Sequence, residues 1–202
     1  MITFGLTGGI ACGKSTVTKT LRRYDIPVID ADIVAREVVV PGSIGLEMIF
    51  CHFGWEYLNK DGSLNRAKLG SLVFRDEKAM SDLNHIMGQL IQDEVDKQIG
   101  AAHQVGHKVV GYDAALICEM GNADRYRPLI VVSCPQDTQI ARLMKRNNLT
   151  HEEALARIKA QMPVEEKIKL ADFVVDTSGS VDNSVKQTEE IISKLRSLCM
   201  NS

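Results

Sequence analysis

Gly8 to Ser15 reads GGIACGKS, which is the spacing G-x-x-x-x-G-K-[ST]. Each residue type there has a use if the loop must wrap an anion. Glycines let successive main-chain N–H groups turn inward around phosphate oxygens. A helix opening near Gly13 adds unsatisfied N–H groups and the positive end of its dipole. Lys14 supplies a point charge for β- and γ-phosphates, and the Ser15 hydroxyl offers a ligand to Mg²⁺. The run Gly8, Gly9, Ile10, Ala11, Cys12, Gly13, Lys14, Ser15 and Thr16 is therefore the expected cradle of a nucleoside triphosphate. Cys12 fits as a small residue. A second expectation is that Lys14 and the helix N-terminus lower its thiol pKa and speed its alkylation.

Carboxylates stand where such a cradle would need them. IDADIVAR, Ile29 to Arg36, puts Asp30 and Asp32 two residues apart at the end of a short strand. Ligands collect at that end of open α/β sheets. Beside a triphosphate the pair needs Mg²⁺ or a substrate hydroxyl to engage. Helix capping ahead of IVARE is the alternative use. Asp113 closes another strand after VVGY and suits either a metal-side acid or a strand-end turn. Positive charge gathers after Pro135. Arg142, Lys145 and Arg146 fall at i, i+3 and i+4, on one helical face. Thr150 to Glu153 forms a capping box that opens a further helix. In a chain of net charge −2 this cluster reads as a lid over phosphates. Arg142 and Arg146 rank ahead of the lysines for their two-pronged geometry.

The elements that must hold these residues follow from the apolar runs. Ile2–Leu6, Ile26–Asp30, His107–Asp113, Pro128–Cys134 and Ala171–Asp176 read as strands, and Lys14–Tyr24 as a helix. Short apolar runs separated by helical stretches predict an α/β fold of the P-loop NTPase type, a parallel sheet flanked by helices. The core is expected over residues 1–34 and 105–202, with the lid within about 142–162. Residues 35–104 read as a helical, acceptor-binding insertion broken at Pro41-Gly42 and Asp61-Gly62. Val181–Leu198 predicts a closing amphipathic helix that packs through Val185, Ile191, Ile192 and Leu195.

Bulk composition excludes other classes. Of 202 residues, 45% are hydrophobic and 25% charged, which gives a packed core rather than disorder. A net charge of −2 argues against generic binding to nucleic acid or anionic membranes. The five cysteines have no C-x-x-C spacing and are odd in number, so neither a disulfide framework nor structural zinc is expected. Scattered thiols suit a reducing cytoplasm. No run reaches transmembrane length, and no signal peptide is expected.

LTGGIACGKSTV, VIDADIVAR, DGSLNRAKLGSLVF, the D-x-x-L-I-x-E from Asp113 to Glu119, RIKAQ and ADFVVDTSG together resemble the dephospho-coenzyme A kinases, collinearly from Ile2 to about Leu195. The resemblance implies transfer of the ATP γ-phosphoryl group, with Mg²⁺, to the ribose 3′-hydroxyl of dephospho-coenzyme A, the last step of coenzyme A synthesis. It implies that Asp32 is the catalytic aspartate and Arg142 the lid arginine. It makes ATP and dephospho-coenzyme A the partners, with no nucleic acid or membrane. Two stretches depart from the family pattern: Gly88-Gln89 stand where His-Pro is common, and Ala115 stands where a proline is common. Two other readings compete. One is another small-acceptor kinase, such as a nucleoside monophosphate kinase. The other is a nucleotide switch, whose N-K-x-D signature is matched only approximately, by NKDG at Asn59 to Gly62.

Overall fold

A computed structural model describes residues 1–200. It divides into two compact units, Met1–Ile29 with the chain from Ala101 onward, and Asp30–Gly100. The expected cuts at 34/35 and 104/105 thus fall a few residues later than the structural ones.

The first unit is built on a five-stranded sheet. In chain order the strands are β1 (Ile2–Gly8), β2 (Val28–Asp30), β3 (Val109–Asp113), β4 (Leu129–Ser133) and β5 (Phe173–Asp176). Their spatial order is β2-β3-β1-β4-β5. β1 runs parallel to β3, with Ile2 opposite Val109, and parallel to β4, with Gly5 opposite Leu129. β5 continues the parallel ladder from β4. β1 and β4 are buried almost throughout, as a parallel sheet covered on both faces requires. Central β1 sits where the chain switches direction across the sheet, so the loop after it opens into the crevice such sheets use for ligands.

Helices cover this sheet. α1 (Lys14–Arg23) buries Val17 and Leu21 against Phe4, Leu6, Ile130 and Val132. Numbering helices along the chain, the helices after β4 are α6 (Gln136–Asn147), α7 (His151–Lys159), α8 (Val164–Lys169) and α9 (Val181–Met200). In α9, Ile191, Ile192 and Leu195 join the core as expected, but Val185 is only half-buried. Ser184 and Thr188 take the buried positions beside it. Their hydroxyls donate to the carbonyls one turn back, at Ser180 and Ser184, so they can be buried without orphaned polar atoms. The capping box forms: Thr150 Oγ1 accepts from the Glu153 N–H, and Glu153 Oε2 accepts from the Thr150 N–H. α6 and α7 pack Ile140, Leu143 and Ala154 together, with Ile10 and Ala11 of the loop after β1 against them.

The second unit is helical. It holds α2 (Ala31–Glu37), α3 (Ile44–Phe53), α4 (Arg66–Val73) and most of α5 (Glu77–Gln104). Each of the first three starts on a side-chain cap: Asp30, Ser43 and Asn65. Val39, Leu46, Ile49, Leu69, Val73 and Ala79 form its core. The breaks expected at Pro41-Gly42 and Asp61-Gly62 fall between helices. Gly88 and Gln89 lie inside α5, which runs unbroken for 28 residues. Proline at that point would kink or break the helix. Among the described residues, no helix is long and apolar enough to cross a membrane.

Candidate active site

The phosphate loop leaves β1 under tight steric control. A Cβ placed on Gly8 would lie 2.4 Å from the Val132 carbonyl oxygen, so any larger residue would push β1 from β4. Gly13 caps α1 with φ +84°, a left-handed conformation that glycine adopts without strain. The turn is closed by the Cys12 N–H donating to the Gly9 carbonyl, and the Thr16 N–H donating to the Gly13 carbonyl. α1 therefore presents its remaining first-turn amides, those of Lys14 and Ser15, at the mouth of the loop.

Side chains hold this loop from three directions. Lys14 Nζ is ion-paired with Asp113 Oδ1, and Thr18 Oγ1 donates to Asp113 Oδ2 at 3.1 Å. Both oxygens of the buried Asp113 are thus engaged. Thr18 lies one helical turn after Lys14, on the same face of α1, which is how one carboxylate can grip both. From α6, Arg142 Nη1 donates to the Ala11 carbonyl at 3.3 Å and to Thr177 Oγ1 at 3.2 Å, and Nη2 donates to the Thr177 carbonyl at 2.7 Å. Thr177 Oγ1 in turn donates to the Cys12 carbonyl at 2.7 Å. From the α7–α8 junction, Gln161 Oε1 accepts from the Ile10 N–H at 2.9 Å.

A second, buried network supports the first. The Lys167 side chain is fully buried, yet Nζ meets Glu119 Oε1 and the Ala115 carbonyl, each at 2.7 Å. Ala115 also accepts from Thr7 Oγ1, just before the phosphate loop, and Glu119 Oε1 accepts from the Met162 N–H, beside Gln161. The Asp113–Glu119 strap is therefore tied at both ends to the elements that grip the loop. Burying a lysine without such partners would be strongly unfavourable. Glu119 Oε2 is buried and makes no hydrogen bond among the described residues.

The structure thus brings Lys14, Asp113, Arg142 and the residues from Gly8 to Thr16 into one constellation within the first unit. Arg146 is not part of it: it is exposed, and its Nε donates to Asn147 Oδ1. Asp30 and Asp32 belong to the helical unit, and there the structure separates their uses. Asp30 is the cap of α2, accepting from the Asp32 and Ile33 N–H groups. The Asp32 carboxylate stands exposed in the first turn and makes no hydrogen bond among the described residues.

Cys12 departs from the reactive-thiol expectation. It is fully buried, and its hydrogen bond with Cys134, together with burial, pushes its thiol above the usual range. Ready alkylation does not fit that position. As for a metal, no group of three or more His, Cys, Asp or Glu side chains among the described residues forms a cage. The oxygen donors of Ser15, Asp32 and Asp113 are nonetheless of the hard kind that Mg²⁺ takes, alongside phosphate oxygens. Ser15 is exposed at the loop mouth, and its side chain has no partner among the described residues.

Thr18, Gln161, Lys167 and Thr177 were not among the residues expected at the site. Thr18 was recoverable from its spacing to Lys14. Gln161 and Thr177 stand in RIKAQ and ADFVVDTSG, stretches that resemble the family but carry no local chemistry of their own.

Comparison with known proteins adds the rest. The dephospho-CoA kinase family model matches residues 2–183. The chain is 43% identical over 192 residues to a dephospho-CoA kinase of Listeria innocua, covering 95% of this chain and 96% of that protein. Among solved structures, TT1252 from Thermus thermophilus superposes with a TM-score of 0.82 at 30% identity, covering 96% of each chain. The dephospho-CoA kinase from Campylobacter jejuni gives 0.73 at 27% identity, again covering 96% of each. This chain belongs to the dephospho-CoA kinase family.

Proposed function

We propose that this chain transfers the γ-phosphoryl group of ATP to the ribose 3′-hydroxyl of dephospho-coenzyme A, yielding coenzyme A and ADP. The observation that carries the donor half is the gripped phosphate loop: Lys14 against Asp113 and Thr18, with Arg142 on Ala11 and Thr177. Family membership supports the acceptor half.

Phosphoryl transfer runs through a loose transition state, so positioning and charge neutralisation dominate. The loop amides and Lys14 would hold the β- and γ-phosphate oxygens, and Arg142 would add charge from the lid. Mg²⁺, held through Ser15 with carboxylate support from Asp32 and Asp113, would neutralise charge on the bridging oxygens. Asp32 would orient the ribose hydroxyl. As the hydroxyl oxygen bonds to phosphorus and the bond to ADP breaks, the proton passes to that carboxylate. A carboxylate is a weak base at neutral pH, so orientation counts as much as proton affinity. Lid closure would exclude water and limit idle ATP hydrolysis. The five free cysteines suit a reducing cytoplasm.

The deciding experiment mixes purified protein, ATP·Mg²⁺ and dephospho-coenzyme A, with a panel of nucleoside monophosphates in parallel. The expected result is a phosphorylated product from dephospho-coenzyme A alone. Product from a monophosphate, with none from dephospho-coenzyme A, would overturn the acceptor assignment.

A further inference from the structure

Two cysteines meet beneath the phosphate loop. Cys12 stands in the middle of that loop, and Cys134 directly follows β4 and precedes Pro135 at the head of α6. Their sulfurs lie 3.4 Å apart, both as free thiols, in a chain that brings them together across 122 residues. A Cβ placed on Gly9 would lie 2.9 Å from Cys12 Sγ, so this sulfur packs directly under the loop's main chain. The Cys12 carbonyl is held by Thr177, on which Arg142 also docks. The hydrogen bond with Cys12 draws the buried Cys134 thiol down to about 7, and the positive charge of Arg142 acts in the same direction against burial.

We propose that Cys12 and Cys134 form an oxidative modification site, a dithiol that a hydroperoxide converts to a disulfide locking the phosphate loop in an inactive form. The Cys134 thiolate attacks one peroxide oxygen. The O–O bond breaks, the leaving oxygen departs as water or alcohol after protonation, and Cys134 becomes a sulfenic acid. Cys12 sulfur then attacks the Cys134 sulfur, the S–O bond breaks, and the hydroxyl leaves as water with the Cys12 proton. Two thiols are oxidised by two electrons, and the peroxide is reduced by two. Closing from 3.4 Å to a disulfide bond length of about 2.05 Å moves the sulfurs together by about 1.4 Å. Misplacing groups in a catalytic site by about 1 Å can cost roughly 10²-fold in rate. Thiols reverse the change by exchange. The effect on activity rests on the phosphate-binding reading of the loop; the cross-link does not.

The test treats the full chain with hydrogen peroxide, blocks remaining thiols, digests it and maps cysteines by mass spectrometry. In parallel, MgATP binding and kinase turnover are measured before and after dithiothreitol. The expected result is a Cys12–Cys134 linked peptide short of two hydrogen atoms, a fall of roughly 10²-fold in turnover per unit MgATP, and recovery with dithiothreitol. Cys134→Ser, with Cys134→Ala as a second form, should retain basal activity and keep it through peroxide. Peroxide that leaves Cys12 and Cys134 free while oxidising Cys51 or Cys199 would overturn the site. So would a cross-link that alters neither binding nor turnover, or an equal loss of activity in the Cys134 variants. If dephospho-coenzyme A proves not to be the acceptor, the linked peptide and MgATP binding still decide the matter.

Discussion

The glycines of the phosphate loop answer to different constraints from those inside α4 and α5. In the first unit, a Cβ on Gly8 would meet the Val132 carbonyl at 2.4 Å, and Gly13 turns with φ +84°. In the helical unit, Gly70 and Gly88 lie within α4 and α5, and nothing comes within 4 Å of where their Cβ atoms would be. The candidate site residues differ between the units as well. Asp113, Arg142, Thr177 and Lys167 are each tied to two or more partners in the first unit. In the second, Asp32 is exposed and its side chain makes no hydrogen bond among the described residues. The loop of the first unit is gripped in advance, while Asp32 of the second stands unengaged; on the proposed function these would be the donor and acceptor sides. That teaches where substitutions should act on architecture and where on chemistry alone.

The largest expected effect tests the unengaged carboxylate. Asp32→Asn should lower kcat by roughly 10²–10⁴, the range for a positioned acid–base group. Because Asp32 holds no structural partner, melting temperature and MgATP affinity should stay near those of the parent chain. Steady-state kinetics, thermal melts and nucleotide titration together check this. Near-normal turnover would remove Asp32 from its role, and a large loss of stability would break the division drawn above.

Arg142→Ala sits on the other side of the comparison. It strips hydrogen bonds from Ala11 and Thr177 and removes a charge from the phosphate site. Loss of one such electrostatic donor typically lowers the rate by roughly 10²–10³. The loss should appear in kcat/KM for ATP, with KM for the acceptor close to unchanged. The reverse split would show that α6 serves the acceptor instead. Gly8→Ala should act through architecture: forcing a methyl against the Val132 carbonyl costs about 1–3 kcal/mol of stability, the usual range for overpacking. Denaturant unfolding would measure it, and an unchanged midpoint would mean β1 and β4 part freely.

Much of this was legible in the sequence where the chemistry is local. The phosphate loop, the α1 start and the Thr150–Glu153 box all lie within a few residues of their partners, so spacing alone reveals them. Strand ends were less legible for a definable reason. Ile26–Asp30 and Pro128–Cys134 read as strands, but the ladders begin at Val28 and Leu129, each just after a proline. Proline has no N–H to give a ladder, although the Pro27 and Pro128 carbonyls still accept from Gly111 and Gly5. The role of Asp30 was undecidable from sequence because a capping aspartate and a ligand aspartate occupy the same position; the Asp32 and Ile33 N–H groups decide for the cap. Arg142 with Thr177, Lys167 with Glu119 and Cys12 with Cys134 join positions 35, 48 and 122 residues apart, a distance no local pattern encodes.

The smallest expected effect is the sharpest test of the contrast, because it predicts a gain. Gly88 lies inside the 28-residue α5, where helical backbone suits any L residue and open space surrounds the Cβ position. Glycine in a helix interior is less favourable than alanine by roughly 0.5–1 kcal/mol, mainly through the freedom of the unfolded chain. Gly88→Ala should therefore raise the melting temperature by about 1–4 °C for a chain of this size, with kcat and both KM values unchanged. Should stability rise while KM for dephospho-coenzyme A climbs, Gly88 would be keeping room for the acceptor where relatives commonly carry His-Pro. Should stability fall, the helix would have a neighbour at that face in solution, and the open surroundings of Gly88 would be wrong.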